Sequence, residues 1–326
     1  MRYVLIAMLV VVCFFTLGLL LASDSTRYDL GEEPVSFCQS IKEEPLEMVL
    51  KGDAETTVIL GHEYVDAGVE DDDGCESIDV STDGVVDTNT VGDYVLSYHG
   101  TTESGRSGTA TRTVHVINPR GTIYLTFDDG ASPYTEKLLN VLAQYGVKAT
   151  FFVTCSGDDY LIEREYKEGH AVGLHTCTHN YSTIYTSVYN FFEDLYAVQD
   201  RVKNITGYTS YLMRFPGGSS NLVSTAYDGG THIMSRLVNE VGARGFTYFD
   251  WNVSSGDAGG ATTSEAVYEN VIYALKEGGS SVVLQHDTKE FSVDAVESII
   301  IYGLNNGYIF APLDANSFTA HHGVSN

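Results

Sequence analysis

From Arg120 onward the sequence alternates between short apolar runs and longer stretches whose apolar residues recur at helical spacing. This periodicity predicts about seven β/α units. Because helices that connect parallel strands pack on the outside of the sheet, the alternation predicts an α/β fold with a parallel sheet or barrel. The strand-type runs cover residues 122–126, 149–153, 171–174, 211–215, 246–251, 281–285 and 308–312.

The segments between these runs are amphipathic, as is typical of helices that pack on a sheet. The first is predicted to open at Ser132-Pro133, because serine caps a helix well and proline fits the first turn. Its apolar positions have the spacing i, i+3, i+4, i+7; they are Leu138, Val141, Leu142 and Tyr145. Three other helices are predicted at about residues 160–167, 233–241 and 264–275. Two more are predicted from apolar stripes; these are Val188, Phe191, Phe192, Leu195 and Val202 in one, and Val296, Ile299, Ile300 and Leu304 in the other.

The N-terminal residues predict an export signal. Residues 3–22 contain no charged side chain and are almost wholly apolar, with Arg2 before them. Their length matches the roughly 20 residues that span a hydrocarbon core, so residues 1–23 are predicted to be a signal anchor or a signal peptide. The anchor is favoured because no clear small-x-small cleavage site follows. The rest of the chain is then exported, either anchored outside the cell membrane or secreted, and residues 24–44 predict a stalk.

Residues 45–118 have a different character. Short β-type runs at 46–50, 56–60, 93–98 and 111–116 are separated by Gly, Asp and Ser turns, which predicts a small all-β sandwich. The stretch Gly61-His62-Glu63-Tyr64-Val65-Asp66-Ala67-Gly68-Val69, with Gly92-Asp93-Tyr94 and the Thr-Arg-Thr-Val strand, resembles bacterial immunoglobulin-like surface domains. Such domains are usually spacers or adhesive modules. The second domain then covers residues 119–326.

Composition excludes several classes of protein. The 326 residues are 43% hydrophobic and include 22 Tyr and 14 Phe, which is ample for packed cores and argues against global disorder. The net charge of −26 argues against a nucleic-acid partner, because phosphates would be repelled. The same charge argues against adhesion of the folded part to anionic lipid. Any membrane contact is therefore assigned to the N-terminal segment alone.

Export also allows disulfides. Cys155 and Cys177 each follow an apolar run, and the ends of neighbouring strands could bring them together. Cys38 and Cys75 would then remain as a second pair. Four separate thiols are the alternative.

The notable polar side chains of the second domain all fall at predicted strand ends. In barrels, the carboxyl ends of the strands form the face that carries the chemistry. We therefore predict that five groups of polar side chains lie together at this face; they are Asp128-Asp129, His175 with His179, Arg214, Asp250 and His286.

Three of these residues form a candidate metal site. His175 and His179 are spaced so that one helical turn would bring both rings to the same side. Together with Asp129 they give two imidazoles and one carboxylate, which leaves open coordination positions and suits a catalytic metal. A histidine pair at this spacing is by itself more often incidental.

The remaining residues suggest acid–base chemistry. Asp128 could accept the proton of an attacking water, and Arg214 would pair with Asp128 and fix its direction. His286 would be the general acid, oriented by a hydrogen bond to Asp250. A surface salt bridge is the alternative for Arg214, and an edge-of-core histidine is the alternative for His286.

Trp251 and Leu284 complete this set. Trp251 is the only tryptophan, and with Leu284 it could wall an apolar slot for a methyl group. A plain core role for Trp251 is the alternative. No role is assigned to the histidines of the Ala320-His321-His322-Gly323 tail.

Five motifs, in this order, resemble those of the polysaccharide deacetylase family of metal-dependent carbohydrate esterases. They are Thr126-Phe127-Asp128-Asp129-Gly130, His175-Thr176-Cys177-Thr178-His179, Arg214-Phe215-Pro216-Gly217-Gly218, Asp250-Trp251 and Leu284-Gln285-His286. The resemblance covers about residues 121–313 and implies an irregular (β/α)7 barrel.

The resemblance also implies residue roles. It makes Asp128 the base, Asp129, His175 and His179 the metal ligands, Arg214 the partner of the base, and Asp250 with His286 the acid pair. It places an oxyanion donor at the backbone N–H of Gly217, and Pro216 of the same motif joins Trp251 and Leu284 in contacting substrate. Many members carry an aromatic residue where Gly217 stands, so glycine keeps the N–H but removes an aromatic surface.

The implied reaction is hydrolysis of N-acetyl groups on a polymer that contains N-acetylglucosamine. Zn²⁺ is the expected ion, with Co²⁺, Mn²⁺ and Ni²⁺ as alternatives. Because the chain is predicted to be exported, peptidoglycan is the first expected substrate. Two other functions stay open, namely an O-acetyl esterase acting on xylan or another acetylated polysaccharide, and a non-catalytic envelope protein that binds carbohydrate.

Overall fold

The computed structural model describes residues 45–71 and 77–326. The predicted signal anchor, the predicted stalk, Cys38 and Cys75 lie outside the described residues. Within the described ranges, no helix has both the length and the apolar character that crossing a membrane requires.

The N-terminal β region is a small sandwich, as the sequence predicts. Its strands are β1 (Met48–Leu50), β2 (Glu55–Ile59), β3 (Val69–Asp71), β4 (Ile78–Asp83), β5 (Gly92–Thr102) and β6 (Ser107–Ile117). Strands β2, β6, β5 and β4 form a four-stranded sheet in that order, and β1 pairs antiparallel with β3. Leu46 and Met48 are buried beside Gly100 of β5, where a Cβ would lie 2.7 Å from the Met48 sulfur. Strands β3 and β4 were not predicted, because they are rich in acidic residues and carry little apolar signal.

The α/β part is built on an eight-stranded parallel sheet. Its strands are β7 (Gly121–Asp128), β8 (Thr150–Val153), β9 (Ala171–Leu174), β10 (Leu212–Met213), β11 (Thr247–Tyr248), β12 (Val253–Ser254), β13 (Ser280–His286) and β14 (Tyr308–Phe310). The order is β11-β10-β9-β8-β7-β13-β12, with β14 paired to the beginning of β7. Within the predicted strand at 246–251, only β11 is present. Strand β12 was not predicted; it follows in the chain and lies at the opposite end of this order.

Helices follow the strands in nearly every unit. They are α1 (Thr135–Gln144), α2 (Asp159–Lys167), α3 (Tyr181–Ile184), α4 (Val188–Thr206), α5 (Ile233–Ala243), α6 (Ser264–Ala274) and α7 (Glu290–Asn305). The first helix was predicted to open at Ser132-Pro133, but α1 begins two residues later, at Thr135. The Ser132 hydroxyl accepts the Tyr134 N–H at 3.0 Å and donates to the Asp287 carbonyl at 2.7 Å. The one-turn helix α3 is too short to show a period in the sequence.

The period of β7 decides which of its side chains face the site. Ile123, Leu125 and Phe127 join the core beneath the helices, whereas Tyr124 packs on the opposite face with Phe152. Successive strand residues point to opposite faces, so Asp128 shares the face of Tyr124. In the parallel register Asp128 is paired with His286 of β13. The parallel pairing of β7 with β13 therefore places two predicted site residues, Asp128 and His286, side by side.

Candidate active site and metal centre

Asp128, the last residue of β7, is held by a buried arginine. Arg214 Nη1 donates to Asp128 Oδ1 at 2.8 Å and to Thr126 Oγ1 at 2.7 Å. Its Nε and Nη2 donate to the carbonyls of Phe249 and Asp250, each at 3.0 Å. The side chain is fully buried, and these bonds compensate the loss of water around its charge. Oδ1 of Asp128 is therefore fixed, and Oδ2 is the oxygen left for chemistry.

Asp129, His175 and His179 form a cluster whose potential ligand atoms all lie within 4.8 Å of one another. The Nε2 atoms of His175 and His179 are each 3.7 Å from Asp129 Oδ1. Ligand atoms about 2.1 Å from a tetrahedral zinc ion lie about 3.4 Å apart, so the cluster is close to the required spacing. Asp129 Oδ1 is buried and has no hydrogen-bond partner within the described part of the chain. An orphaned carboxylate oxygen is costly unless a cation pairs with it, so these residues fit a divalent metal.

The tautomer of His175 also suits ligation. Its Nδ1 lies 2.9 Å from the carbonyl oxygen of Arg214. A carbonyl only accepts, so Nδ1 carries the proton and Nε2 keeps its lone pair. Burial lowers the pKa of His175 and favours the neutral ring. Neutral imidazole is the form that binds metals.

Two of the three candidate ligands have left-handed backbone conformations. Asp129 has φ 73° and His179 has φ 51°, and Thr176 between the two histidines has φ 62°. Such conformations cost non-glycine residues of order 1–3 kcal/mol each and persist only where the surroundings impose them. The segment is not the helical turn predicted from the histidine spacing; it is a loop after β9.

Asp194 of α4 and a disulfide hold this loop. Asp194 Oδ1 accepts the backbone N–H groups of Cys177 and Thr178 at 2.6 and 2.9 Å, and Oδ2 accepts the Thr178 hydroxyl at 2.8 Å. Cys177 is bonded to Cys155, which follows β8. The proposed Cys155–Cys177 pairing is therefore present. The remaining pair, Cys38 and Cys75, lies outside the described residues.

The general-acid candidate is held by a different carboxylate from the one predicted. His286 Nδ1 is hydrogen-bonded to Asp257 Oδ1 at 2.9 Å, and its backbone N–H donates to Asp257 Oδ2 at 2.7 Å. The predicted pairing of Asp250 with His286 is wrong. Asp257 follows β12, the strand beside β13. Asp250 instead lies in the segment of chain that connects β11 to β12. Asp257 was missed because β12 was not predicted, so the sequence did not place it at a strand end.

Asp250 is fully buried and anchors two loops. Oδ1 accepts the Ser219 N–H at 2.7 Å, and Oδ2 accepts the Ser219 hydroxyl at 2.5 Å and the His322 N–H at 2.8 Å. His322 also contacts the Trp251 carbonyl through Nε2 at 2.7 Å, and His321 stacks on Tyr248 with ring centroids 3.9 Å apart. The two histidines of the C-terminal tail thus pack against Tyr248, Asp250 and Trp251. The sequence alone assigned them no role.

One cavity of about 410 Å³ is lined by Asp128, by the cluster of candidate metal ligands and by His286. The predicted residues Gly217, Trp251 and Leu284 line it, but Pro216 does not. Pro216 is buried and its carbonyl accepts the Tyr185 hydroxyl at 2.6 Å, so its predicted substrate contact is wrong. Three further lining residues were missed; they are Tyr181, Ala258 and Lys289. Tyr181 begins α3, and Ala258 and Lys289 lie in loops, so the approach of all three to the cavity depends on tertiary packing.

Comparison with known proteins agrees with this geometry. A family model described as polysaccharide deacetylase matches residues 115–228, and one described as bacterial surface protein, Ig-like domain, matches residues 48–116. A peptidoglycan-N-acetylglucosamine deacetylase of Bacillus cereus is 34% identical over 203 residues, which cover 59% of this chain and 68% of that protein. Chitin deacetylase 1 of Cryptococcus neoformans is 30% identical over 203 residues, covering 56% of this chain and 41% of that protein.

A solved structure is more similar still. The catalytic domain of a peptidoglycan N-acetylglucosamine deacetylase from Eubacterium rectale has 52% sequence identity and a TM-score of 0.61, and covers 63% of this chain and 94% of that chain. Fold, site and relatives together define an enzyme, a hydrolase built on a curled parallel sheet. The chain belongs to the polysaccharide deacetylase family, with a bacterial surface Ig-like domain at its N-terminal side.

Proposed function

We propose that this enzyme removes N-acetyl groups from N-acetylglucosamine residues of peptidoglycan in a reaction that depends on Zn²⁺. One observation carries the proposal: a single cavity contains the Asp129, His175 and His179 cluster, a carboxylate fixed by arginine and an imidazole fixed by carboxylate. The relatives named as peptidoglycan deacetylases support the choice of polymer. Co²⁺, Mn²⁺ and Ni²⁺ are the alternative ions for the same donor set.

The residues of the cavity divide the reaction between them. Asp129, His175 and His179 would hold the metal, which supplies Lewis-acid polarisation and acidifies water. Asp128 takes a proton from the attacking water at Oδ2, because Oδ1 is engaged by Arg214. His286 then gives the proton on Nε2 to the departing amine nitrogen as the C–N bond breaks. Acetate and a free amino sugar are the products.

The walls of the cavity favour an acetylated sugar that belongs to an anionic polymer. Trp251 and Leu284 supply apolar surface for the acetyl methyl group. Lys289 is the one lysine or arginine among the described residues that line the cavity, and its exposed ammonium suits a carboxylate such as those of peptidoglycan. The Ig-like domain is of a kind found in bacterial surface proteins. We therefore place the enzyme in the cell envelope, anchored through residues 3–22 or secreted.

The test is acetate release by the full chain from N-acetylglucosamine oligomers, peptidoglycan and acetylxylan, with and without a chelator. We expect release from the first two and its loss with chelator, restored by Zn²⁺. Release from acetylxylan alone would instead make the chain an O-acetyl esterase. Activity that a chelator leaves intact would exclude the metal site.

A further inference from the structure

Two hydrogen-bond donors border the cavity and are not used in the fold. The backbone N–H of Gly217 and the hydroxyl of Tyr181 both belong to residues that line it. In the described part of the chain, neither donor has a hydrogen-bond partner. Donors that border a cavity without a protein acceptor are available to a bound substrate.

Tyr181 spans the distance between the candidate metal ligands and Gly217. Its ring lies against the ring of His179, with centroids 5.2 Å apart. Its hydroxyl oxygen lies 3.0 Å from the point where a Cβ on Gly217 would stand. The phenol therefore lies beside the same gap that an acetyl carbonyl would occupy between the cluster and the Gly217 amide.

The position of Tyr181 is fixed from behind. Its ring stacks on Tyr185, with centroids 5.6 Å apart and planes at 18°. Tyr185 is fully buried, and its hydroxyl donates to the Pro216 carbonyl at 2.6 Å. The two tyrosines thus connect α3 to the loop that carries Gly217. A donor held in place before substrate arrives requires no reorganisation during the reaction.

Glycine at position 217 leaves the space that the phenol needs. Gly217 has φ 76°, a conformation that side chains rarely adopt. A Cβ there would lie 3.0 Å from the Tyr181 hydroxyl and 3.3 Å from Asn221 Cβ. The aromatic surface absent from position 217 is therefore supplied from another element, by Tyr181.

We propose that Tyr181 is a catalytic residue, whose hydroxyl donates to the acetyl carbonyl oxygen as it becomes an oxyanion. The inference rests on the proposed hydrolytic function. When water forms the new C–O bond, the carbonyl π pair moves to oxygen, where the Tyr181 O–H and the Gly217 N–H share it. The pair returns as the C–N bond breaks and His286 protonates the amine. The phenol only donates a hydrogen bond, so it keeps its proton throughout.

The experiment compares Tyr181→Phe with Tyr189→Phe, an exposed tyrosine of α4, in the Zn²⁺-loaded full chain. The substrates are an N-acetylglucosamine pentamer and 4-nitrophenyl acetate, which has an acetyl group but no sugar. We expect Tyr181→Phe to lower kcat at least about tenfold on both substrates with KM little changed, because an oxyanion donor acts only in the transition state. Tyr189→Phe should match the wild type, and Zn²⁺ titration should show equal affinity in all three proteins.

Unchanged kcat on either substrate would overturn the inference. So would a loss confined to the pentamer with a raised KM, because that pattern identifies a sugar contact. If the wild type releases no acetate from any polysaccharide but hydrolyses the ester, the proposed function fails while the role of Tyr181 is still measured on the ester.

A second variant tests the geometry. Gly217→Ala should lower kcat because its Cβ displaces the Tyr181 hydroxyl. Adding Tyr181→Phe to Gly217→Ala should then cost much less than Tyr181→Phe alone, since residues that act at one point are not additive. Full additivity of the two losses would contradict a shared point of action.

Discussion

The surroundings of His286 keep its imidazole charged. Burial opposes the charge, but the hydrogen bond to Asp257 and the negative charges of Asp128, Asp257 and Asp129 outweigh it and raise the pKa of His286 to about 9. Burial raises the pKa of Asp257, but the hydrogen bonds from His286 and Ser292 and the positive charge of His286 outweigh it and lower this pKa. A proton donor must carry its proton when the amine departs, so activity should fall as the pH rises through about 9.

Asp257→Asn tests this assignment. The substitution removes the charge of Asp257 and weakens its hydrogen bond, which both raise the pKa of His286, and it keeps the burial that lowers this pKa. The alkaline limb of kcat/KM should therefore move to lower pH. The rate at neutral pH should fall about 10–100-fold, as for other residues that orient a working histidine. Measurement is by pH profiles of acetate release.

Asp250→Asn is the matched control. Asp250 touches Ser219 and His322 rather than His286, so its loss should lower the free energy of unfolding by about 1–3 kcal/mol. The alkaline limb should stay in place. A limb that moves with Asp250→Asn and not with Asp257→Asn would reverse the assignment made here.

Two histidine variants separate metal binding from proton transfer. His175→Ala removes a ligand atom of the cluster, so both Zn²⁺ affinity and turnover should be lost. His286→Ala leaves the cluster intact and should retain Zn²⁺ while losing turnover. Metal content by atomic spectroscopy after dialysis, beside acetate release, distinguishes the two. Full Zn²⁺ occupancy in His175→Ala would count against its role as a ligand.

At the scale of elements, the loop after β9 is the element on which the candidate metal centre most depends. It carries His175 and His179, includes two left-handed residues, and is held by Asp194 and the Cys155–Cys177 disulfide. Strained segments of this kind depend on the contacts around them. The geometry of the candidate metal centre is therefore set by α4 and β8 as well as by the loop itself.

Replacing both cysteines, Cys155→Ser with Cys177→Ser, should loosen the loop. The disulfide spans 22 residues, and a bridge of that size contributes about 3 kcal/mol to the free energy of unfolding. We expect denaturant titration to show a loss of this order and Zn²⁺ titration to show about tenfold weaker binding. Unaltered Zn²⁺ affinity would mean that Asp194 alone suffices to hold the loop.

At the scale of the whole molecule, net charge bears on the proposed substrate. The chain has a net charge of −26, and peptidoglycan, the proposed substrate, bears carboxylates, so the two should repel at long range. The Debye length falls from roughly 30 Å at 0.01 M salt to about 8 Å at 0.15 M. The kcat/KM for soluble peptidoglycan fragments should therefore rise severalfold over this range. Uncharged N-acetylglucosamine oligomers should show little change, and an equal salt response for both would refute a role of net charge.

Much of the fold was predictable because strands and helices leave strong periodic signals. The strand Ala171–Leu174 was predicted to the residue, and the predicted apolar stripe from Val188 to Val202 lies on α4. Prediction failed where the signal was weak, as at the two-residue strand β12. The chain there bends between two edges of the sheet, and a run of apolar residues does not reveal a bend.

The sequence by itself determined the alternation of strands and helices after Arg120, the side of β7 on which Asp128 lies, and the strand ends that carry the candidate ligands. These follow from local periodicity and from the rule that parallel strands present their carboxyl ends at one edge. Only the tertiary structure decided that Asp257 rather than Asp250 holds His286, and that Tyr181 lies beside Gly217. Such choices depend on which loops meet in space, and contacts between residues far apart in the chain leave no period in the sequence.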